Sequence, residues 1–156
     1  MAVESQKALI AAVGAFISAA RANGSLPPVQ GSGAPVYYGY DSKRQAIPLN
    51  AYPYVLIEDG GERTEVVTGN AQKRWFGVEV EFMAYFQKVE NSLDYVLDFS
   101  SKLKAVFELE ANRLMDGMTF GVTITPILYE DEQKGYYRGR RVRIEYHLLE
   151  DIFEQY

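Results

Sequence analysis

Two segments of this chain alternate apolar and charged residues with a strict period of two, the signature of paired strands that bury one face. In Tyr136-Tyr-Arg-Gly-Arg-Arg-Val-Arg-Ile-Glu-Tyr-His-Leu-Leu149, Val142, Ile144, Tyr146 and Leu148 alternate with Arg141, Arg143, Glu145 and His147. In Gly77-Val-Glu-Val-Glu-Phe-Met-Ala-Tyr-Phe86, the apolar row is Val78, Val80, Phe82, Ala84 and Phe86, and Glu79 and Glu81 point the other way. The expectation is a sheet whose outer face carries an acidic row and a basic row, either solvated or in contact with another subunit.

The remaining elements follow from helical spacing and turn residues. Leu9, Ile10, Val13, Phe16, Ile17 and Ala20 form one stripe, predicting an amphipathic helix from about Val3 to Ala22 that stops at Asn23-Gly24. Tyr52 to Glu58 reads as a strand, Asp59-Gly60-Gly61 as a turn, and Glu62 to Thr68 as the returning strand of a hairpin. After Gly69-Asn70 a third strand runs from about Lys73 to Phe86. A second helix, capped by Asn91 with Asp94 at its third position, spans about Ser92 to Leu114. Its expected stripe is Leu93, Val96, Leu97, Leu103, Val106 and Phe107, and it stops near Asp116-Gly117. Strands from Phe120 to Glu130 and from Tyr136 to Leu149 flank the polar loop Asp131 to Gly135, and Glu150 to Tyr156 forms a short tail. The class is α+β: a mostly antiparallel sheet of about five strands with two amphipathic helices packed on one face. The core should join Leu9, Val13, Phe16 and Ile17 to Val78, Val80 and Phe82 and to Val142, Ile144 and Tyr146.

Between Ser25 and Asn50 periodicity is lost. Pro27, Pro28, Gly31, Gly33, Pro35 and Pro48 punctuate a stretch that also holds Tyr37, Tyr38 and Tyr40. Structureless connections longer than ~12–15 residues are uncommon in compact domains and tend to be functional or disordered, and disordered linkers are poor in aromatics. The three tyrosines are therefore expected to pack against a neighbouring subunit or partner, with the loop separable from the fold.

The chain's 156 residues, 47% hydrophobic, suit a single domain over 1–156. A net charge of −5 argues against tight nucleic-acid binding by overall charge. The absence of cysteine excludes disulfides, thiolate nucleophiles and Cys-ligated metals. The apolar run Ala8 to Ala20 falls short of the ~20 residues that a membrane span requires, and its helical spacing, with Glu4 offsetting Lys7, favours a core helix over a signal peptide.

Candidate chemistry is sparse. One histidine, His147, on the charged row, gives a hydrolase triad no convincing base. Glu79 and Glu81, about 6–7 Å apart on one strand face, match the ~5–9.5 Å separation of a glycosidase pair, yet alternating glutamates on a strand are more simply a charged face. Glu130, Asp131 and Glu132 lack the glycine-centred alternation of a calcium loop. Neither Gly60-Gly61 nor Gly31-Ser-Gly33 matches a phosphate-binding pattern. No cofactor or metal is expected. Arg138, Arg140, Arg141 and Arg143, beside Tyr136 and Tyr137, form the one basic-aromatic cluster. Their expected partners are Glu79 and Glu81 on the same or an adjacent subunit, in preference to nucleic acid.

The order of elements, with the Tyr52-Pro-Tyr-Val-Leu-Ile-Glu-Asp strand, the Arg74-Trp-Phe-Gly-Val-Glu-Val-Glu strand, the second helix with Leu93 and Leu97, and the closing Tyr137-Arg-Gly-Arg segment, resembles the tail-terminator and tail-completion proteins of tailed bacteriophages. The resemblance implies a non-enzymatic virion subunit, assembled in the host cytoplasm, that forms a hexameric ring at the head-proximal end of the tail. There it would stop tail-tube polymerisation and dock to a head-closure or neck protein, with DNA passing through without specific binding. The contact residues it would use are Tyr37, Tyr38, Tyr40, Glu79, Glu81, Arg138, Arg140, Arg141 and Arg143, and a ring held by such charges should weaken with salt. Other neck or head-completion components share this outline. From different classes, a carboxylate-dependent hydrolase and a soluble binding module acting through the tyrosine loop are the alternatives.

Overall fold

The alternating rows pair as their spacing predicts. In the computed structural model, which describes residues 5–31, 33–39, 47, 49–108, 118–130 and 135–151, strand β3 (Ala71–Phe86) runs antiparallel to β5 (Tyr136–Asp151) along its whole length. Val80 faces Val142, Val78 faces Ile144 and Phe76 faces Tyr146. Strand β2 (Tyr54–Thr68) lies on the other side of β3 and β4 (Met118–Glu130) on the other side of β5. The short β1 (Tyr37–Tyr38) pairs parallel with Leu56 and Ile57, so the sheet order is β1-β2-β3-β5-β4. One face is covered by helix α1 (Gln6–Asn23) and helix α2 (Ser92–Glu108), and the fold is α+β.

Helix α1 begins where Ser5 accepts the Ala8 N–H at 3.1 Å and ends at Gly24, whose φ of 88° needs a residue without a Cβ. Its buried Leu9, Val13 and Ile17 meet Val55 and Ile57 of β2, Phe76 to Phe82 of β3, Val142 to Tyr146 of β5, and Val96, Phe99, Leu103, Val106 and Phe107 of α2 in one cluster. Phe16 packs at its margin, edge-on to Phe107 at 6.3 Å, and Phe82 stacks on Phe99 at 4.4 Å. The expected core is the one found.

Three elements differ from expectation. Asp59-Gly60-Gly61 does not turn the chain: β2 is one strand of 15 residues, with a bulge between Asp59 and Glu62. Gly61 has φ 83°, and a Cβ on Gly60 would run into the backbone of Gly77, so these glycines let two strands close on each other at the bulge. The turn is at Gly69-Asn70. In α2, Leu93 and Leu97 are exposed at 46% and 38%, and Phe99, absent from the expected stripe, is fully buried. Asn91 ends a 3-10 turn (Val89–Asn91) that leads directly into α2. Glu150 and Asp151, expected to begin the tail, instead continue β5 and pair with Gln72 and Ala71. The expected end of the second helix at Leu114, its stop at Asp116-Gly117, loop residues 131–134 and tail residues 152–156 lie outside the described residues.

The proline-rich loop is part of the fold. Arg21, in the last turn of α1, is 3% exposed and donates to the carbonyls of Pro27 (3.0 Å), Pro28 (3.1 Å), Pro35 (3.1 Å) and Pro53 (2.9 Å). A planar guanidinium with five donors is suited to gather several backbone acceptors from one loop. Burial lowers its pKa from the ordinary value, against the opposing pull of Tyr95 and Tyr37. Leu26, Val36, Ile47 and Ala51 of the same region are buried. The loop is therefore anchored to the fold, contrary to the expectation that it is separable. Arg21→Leu leaves four carbonyls without this donor; at about 1–3 kcal/mol for an unsatisfied buried polar group, we expect a loss of roughly 3 kcal/mol or more in urea unfolding, with Arg21→Lys recovering only part of it.

Candidate assembly surface

On the face of the sheet away from the helices, the odd-numbered residues of β3 and β5 form cross-strand pairs. Arg141 lies opposite Glu81 and Arg143 opposite Glu79, with nitrogen–oxygen distances of 3.0 Å and 3.2 Å. Glu81 is the surprise, because it is 1% exposed and accepts a second bond from the buried Tyr54 hydroxyl at 2.7 Å. The cause is the segment before β2: Ile47, Ala51, Tyr54, Leu56 and Met83 make a second apolar cluster on this face, flanked by Tyr37, Tyr52, Ile127 and Tyr137. The row expected to be solvated is thus half covered by the chain's own loop. Burial alone would lower the pKa of Arg141, but the hydrogen bond and charge of Glu81 outweigh it and the net shift is upward.

Arg143 occupies the bulge. Its guanidinium donates to Glu145 (3.0 Å), to Glu79 (3.2 Å) and to the Gly60 carbonyl (2.9 Å), and it packs against Gly77 where a Cβ would stand. From the other side, Gln6 at the start of α1 donates to Asp59 (2.8 Å) and to the Gly77 carbonyl. The bulge is a joint between α1, β2, β3 and β5. A shallow depression of about 190 Å³ beside it is lined by Gly60, Gly61, Glu62, Arg63, Trp75, Arg143 and Glu145. Trp75 stands between the Arg63 guanidinium (4.4 Å from its ring centre) and the His147 ring (5.8 Å), and His147 lies 3.4 Å from Glu145.

Arg138 and Arg140 do not face Glu79 and Glu81, because even-numbered residues of β5 point to the helix side. There Arg138 donates to Ser92 Oγ at 3.0 Å and Arg140 to Ser100 Oγ at 3.3 Å, which supplies partners for two buried serines of α2. All four arginines thus have partners within the subunit. Tyr37 is half-buried and its hydroxyl accepts the Ala34 N–H at 3.1 Å; Tyr38 is 48% exposed, with its hydroxyl against Gly14 of α1. Both tyrosines therefore already have partners in their own chain, and Tyr40 lies outside the described residues. Asp131 and Glu132 also lie outside them. Among the described residues no group of three or more His, Asp or Glu is placed to hold a metal ion.

Several large apolar side chains also stand exposed, at positions not singled out from the sequence as a surface. At one end, β2 and β3 project beyond the helices as an arm whose residues 61–70 are all exposed, Val66 at 64% and Val67 at 47%. Elsewhere, Leu93 and Leu97 of α2 and Ile124 (42%) and Leu128 (51%) of the edge strand β4 are exposed. The signal available in the sequence was the helical wheel, since Leu93 and Leu97 sit roughly 100° and 140° from the centre of the 96–99–103–106 stripe. The sequence matches no known protein-family model, and no curated protein matches it.

Removing one partner of a buried ion pair costs about 3–5 kcal/mol, whereas a partly exposed pair contributes about 0–1 kcal/mol. Glu81→Ala is therefore expected to lose about 3–5 kcal/mol in chemical unfolding and Glu79→Ala no more than about 1 kcal/mol. Equal losses would show that the two pairs do not differ as their burial implies.

Proposed function

We propose that this chain is a structural subunit of a tailed-bacteriophage virion, of the tail-terminator and tail-completion class. It closes into a ring with copies of itself at the head-proximal end of the tail, ends tail-tube polymerisation and presents a docking surface to the head-closure or neck protein. The observation that carries this reading is the pair of exposed apolar surfaces at opposite ends of one sheet. A subunit with two different sticky surfaces joins its neighbours head to tail, and such contacts close into rings when the rotation allows. The element order on which the resemblance rests supports it further: a helix, three strands, a second helix and two closing strands. Glu79, Glu81 and the four arginines of β5 have partners inside the subunit, which suits a scaffold held in register. DNA would pass through such a ring without specific contacts, consistent with a net charge of −5.

Light scattering on the purified protein, alone and with the tail-tube protein of the same phage, tests this. The expected result is one closed oligomer of fixed stoichiometry and a tube preparation that stops elongating when the protein is added. A monomer in both conditions, with tube growth unchanged, would remove the proposal.

A further inference from the structure

We infer that two copies of this chain join through the open edge of β2, pairing residues 62–66 antiparallel about a two-fold axis at Thr64, so that the sheet of one subunit continues into the next. The contact uses the backbone edge of the arm and not its faces, and the inference does not rest on the ring reading.

Which backbone groups stand free follows from the register. The Ile57 carbonyl points away from β3, since it accepts the Gly39 N–H at 2.6 Å. In an antiparallel ladder, successive residues turn their N–H and C=O alternately toward and away from the partner strand. Ile57 lies opposite Val80, and the β2 residues opposite Val78, Phe76, Arg74 and Gln72 are Asp59, Glu62, Thr64 and Val66, the bulge between Asp59 and Glu62 taking up the extra residue. Glu62, Thr64 and Val66 therefore direct both backbone groups outward, and none of the described residues bonds to them there.

The other edges are guarded. Along β2, Tyr37, Tyr38 and Gly39 fill the edge beside Leu56 and Ile57. On β4, Pro126 has no N–H, and the ladder shifts between Phe120 and Thr123, with Gly121 at φ 73°. Among the described residues, 62–66 is the regular edge without such a break, and an unpaired row of N–H and C=O groups is a template for another strand.

The charge pattern selects a second copy of the same strand, and one register. Centred on Thr64, the pairing sets all three outward positions against one another, Thr64 against Thr64 and Glu62 against Val66, for about six backbone hydrogen bonds. Arg63 then lies opposite Glu65 of the second copy. Because Arg63 pairs with Trp75 and Glu65 with Lys73 in their own chains, each Glu65 comes to stand between Lys73 of its own chain and Arg63 of the other. Glu62, the remaining charge of the stretch, faces Val66 and no like charge. Neighbouring registers fail on this count. Centring on Arg63 opposes Arg63 to Arg63, centring on Glu65 opposes Glu65 to Glu65, and centring on Glu62 opposes Glu62 to Glu62, and like charges directly opposite are destabilising. Centring on Val66 leaves one hydrogen-bonded position, since the ladder shifts between Val66 and Thr68.

The chain has no cysteine, so Thr64→Cys places a single thiol in each subunit, on the axis. The Cα atoms of a directly opposed, hydrogen-bonded pair are about 5.5 Å apart, within the reach of a disulfide. The expected result under mild oxidation is a disulfide-linked dimer that forms about tenfold or more faster than that of Ser101→Cys, an exposed position on α2 that reports random collision. Sedimentation of the cysteine-free protein up to about 1 mM should show self-association that Arg63→Glu weakens about tenfold, by opposing two pairs of like charges. Arg63→Glu combined with Glu65→Arg should recover it to within about threefold, because the swap returns opposite charges to facing positions; melting temperatures within a few degrees of the wild type show that both variants fold. Thr64→Cys linking no faster than Ser101→Cys, self-association indifferent to Arg63→Glu, or a folded charge swap that restores nothing would each overturn the inference. A ring that forms while Thr64→Cys stays unlinked would overturn this contact and leave the ring reading in place.

Discussion

The structure depends on the stretch Val80–Ala84 of β3 being covered on all sides. It has a strand along each edge, the two helices over its even-numbered residues, and the second apolar cluster with the Glu81–Tyr54–Arg141 group over its odd-numbered ones. A strand buried on both faces normally carries an unbroken apolar run. This one keeps glutamates at 79 and 81, and the structure meets the cost of burying Glu81 with a guanidinium on one oxygen and a phenol on the other. A buried ion pair contributes little net stability compared with apolar packing, but breaking it is expensive. Register is fixed from both faces: a slip of β5 by one residue would turn the buried Val142, Ile144 and Tyr146 to this face and send Arg141 and Arg143 to the helix side, away from Glu81 and Glu79.

Arg21 does for the loop what Arg141 does for the sheet. Four proline carbonyls converge on one side chain at the end of α1, and that convergence carries Val36 and Ile47 to buried sites and β1 to the edge of β2. Without that covering segment, Glu81 and Met83 would lie against solvent. The odd face of β3 is thus as much a product of Tyr37, Ile47, Ala51 and Tyr52 as of the strand itself.

Elements with long periodic patterns were legible in the sequence: α1 to within a few residues, β3, β5 and the main cluster all follow from spacing of 3.6 or 2. Features set by distant parts of the chain were not. Nothing local to Glu81 shows that Tyr54 and Ile47 will cover it, and nothing local to Arg21 shows four carbonyls arriving. Asp59-Gly60-Gly61 suits a turn as well as a bulge, and only the later Gly69-Asn70, which lets β2 and β3 pair over a long ladder, decides between them. Arg138 and Arg140 are different. The same alternation that sorted Arg141 and Arg143 already places them on the helix side, so their separation from Glu79 and Glu81 was present in the pattern. With Arg141 and Arg143 engaged by Glu81 and Glu79 inside the subunit, these charges no longer supply the intersubunit contact expected of them.

Where copies of the chain meet is the central claim, and amide hydrogen exchange compared between dissociated and assembled protein measures it directly. Amides of residues 78–84 should exchange slowly in both forms, because their strand is paired on both sides. Assembly should newly protect residues 62–70 together with 93–97 and 123–128. New protection confined to the odd-numbered face around Glu79, Arg141 and Arg143, with the arm exchanging as fast as before, would contradict the account.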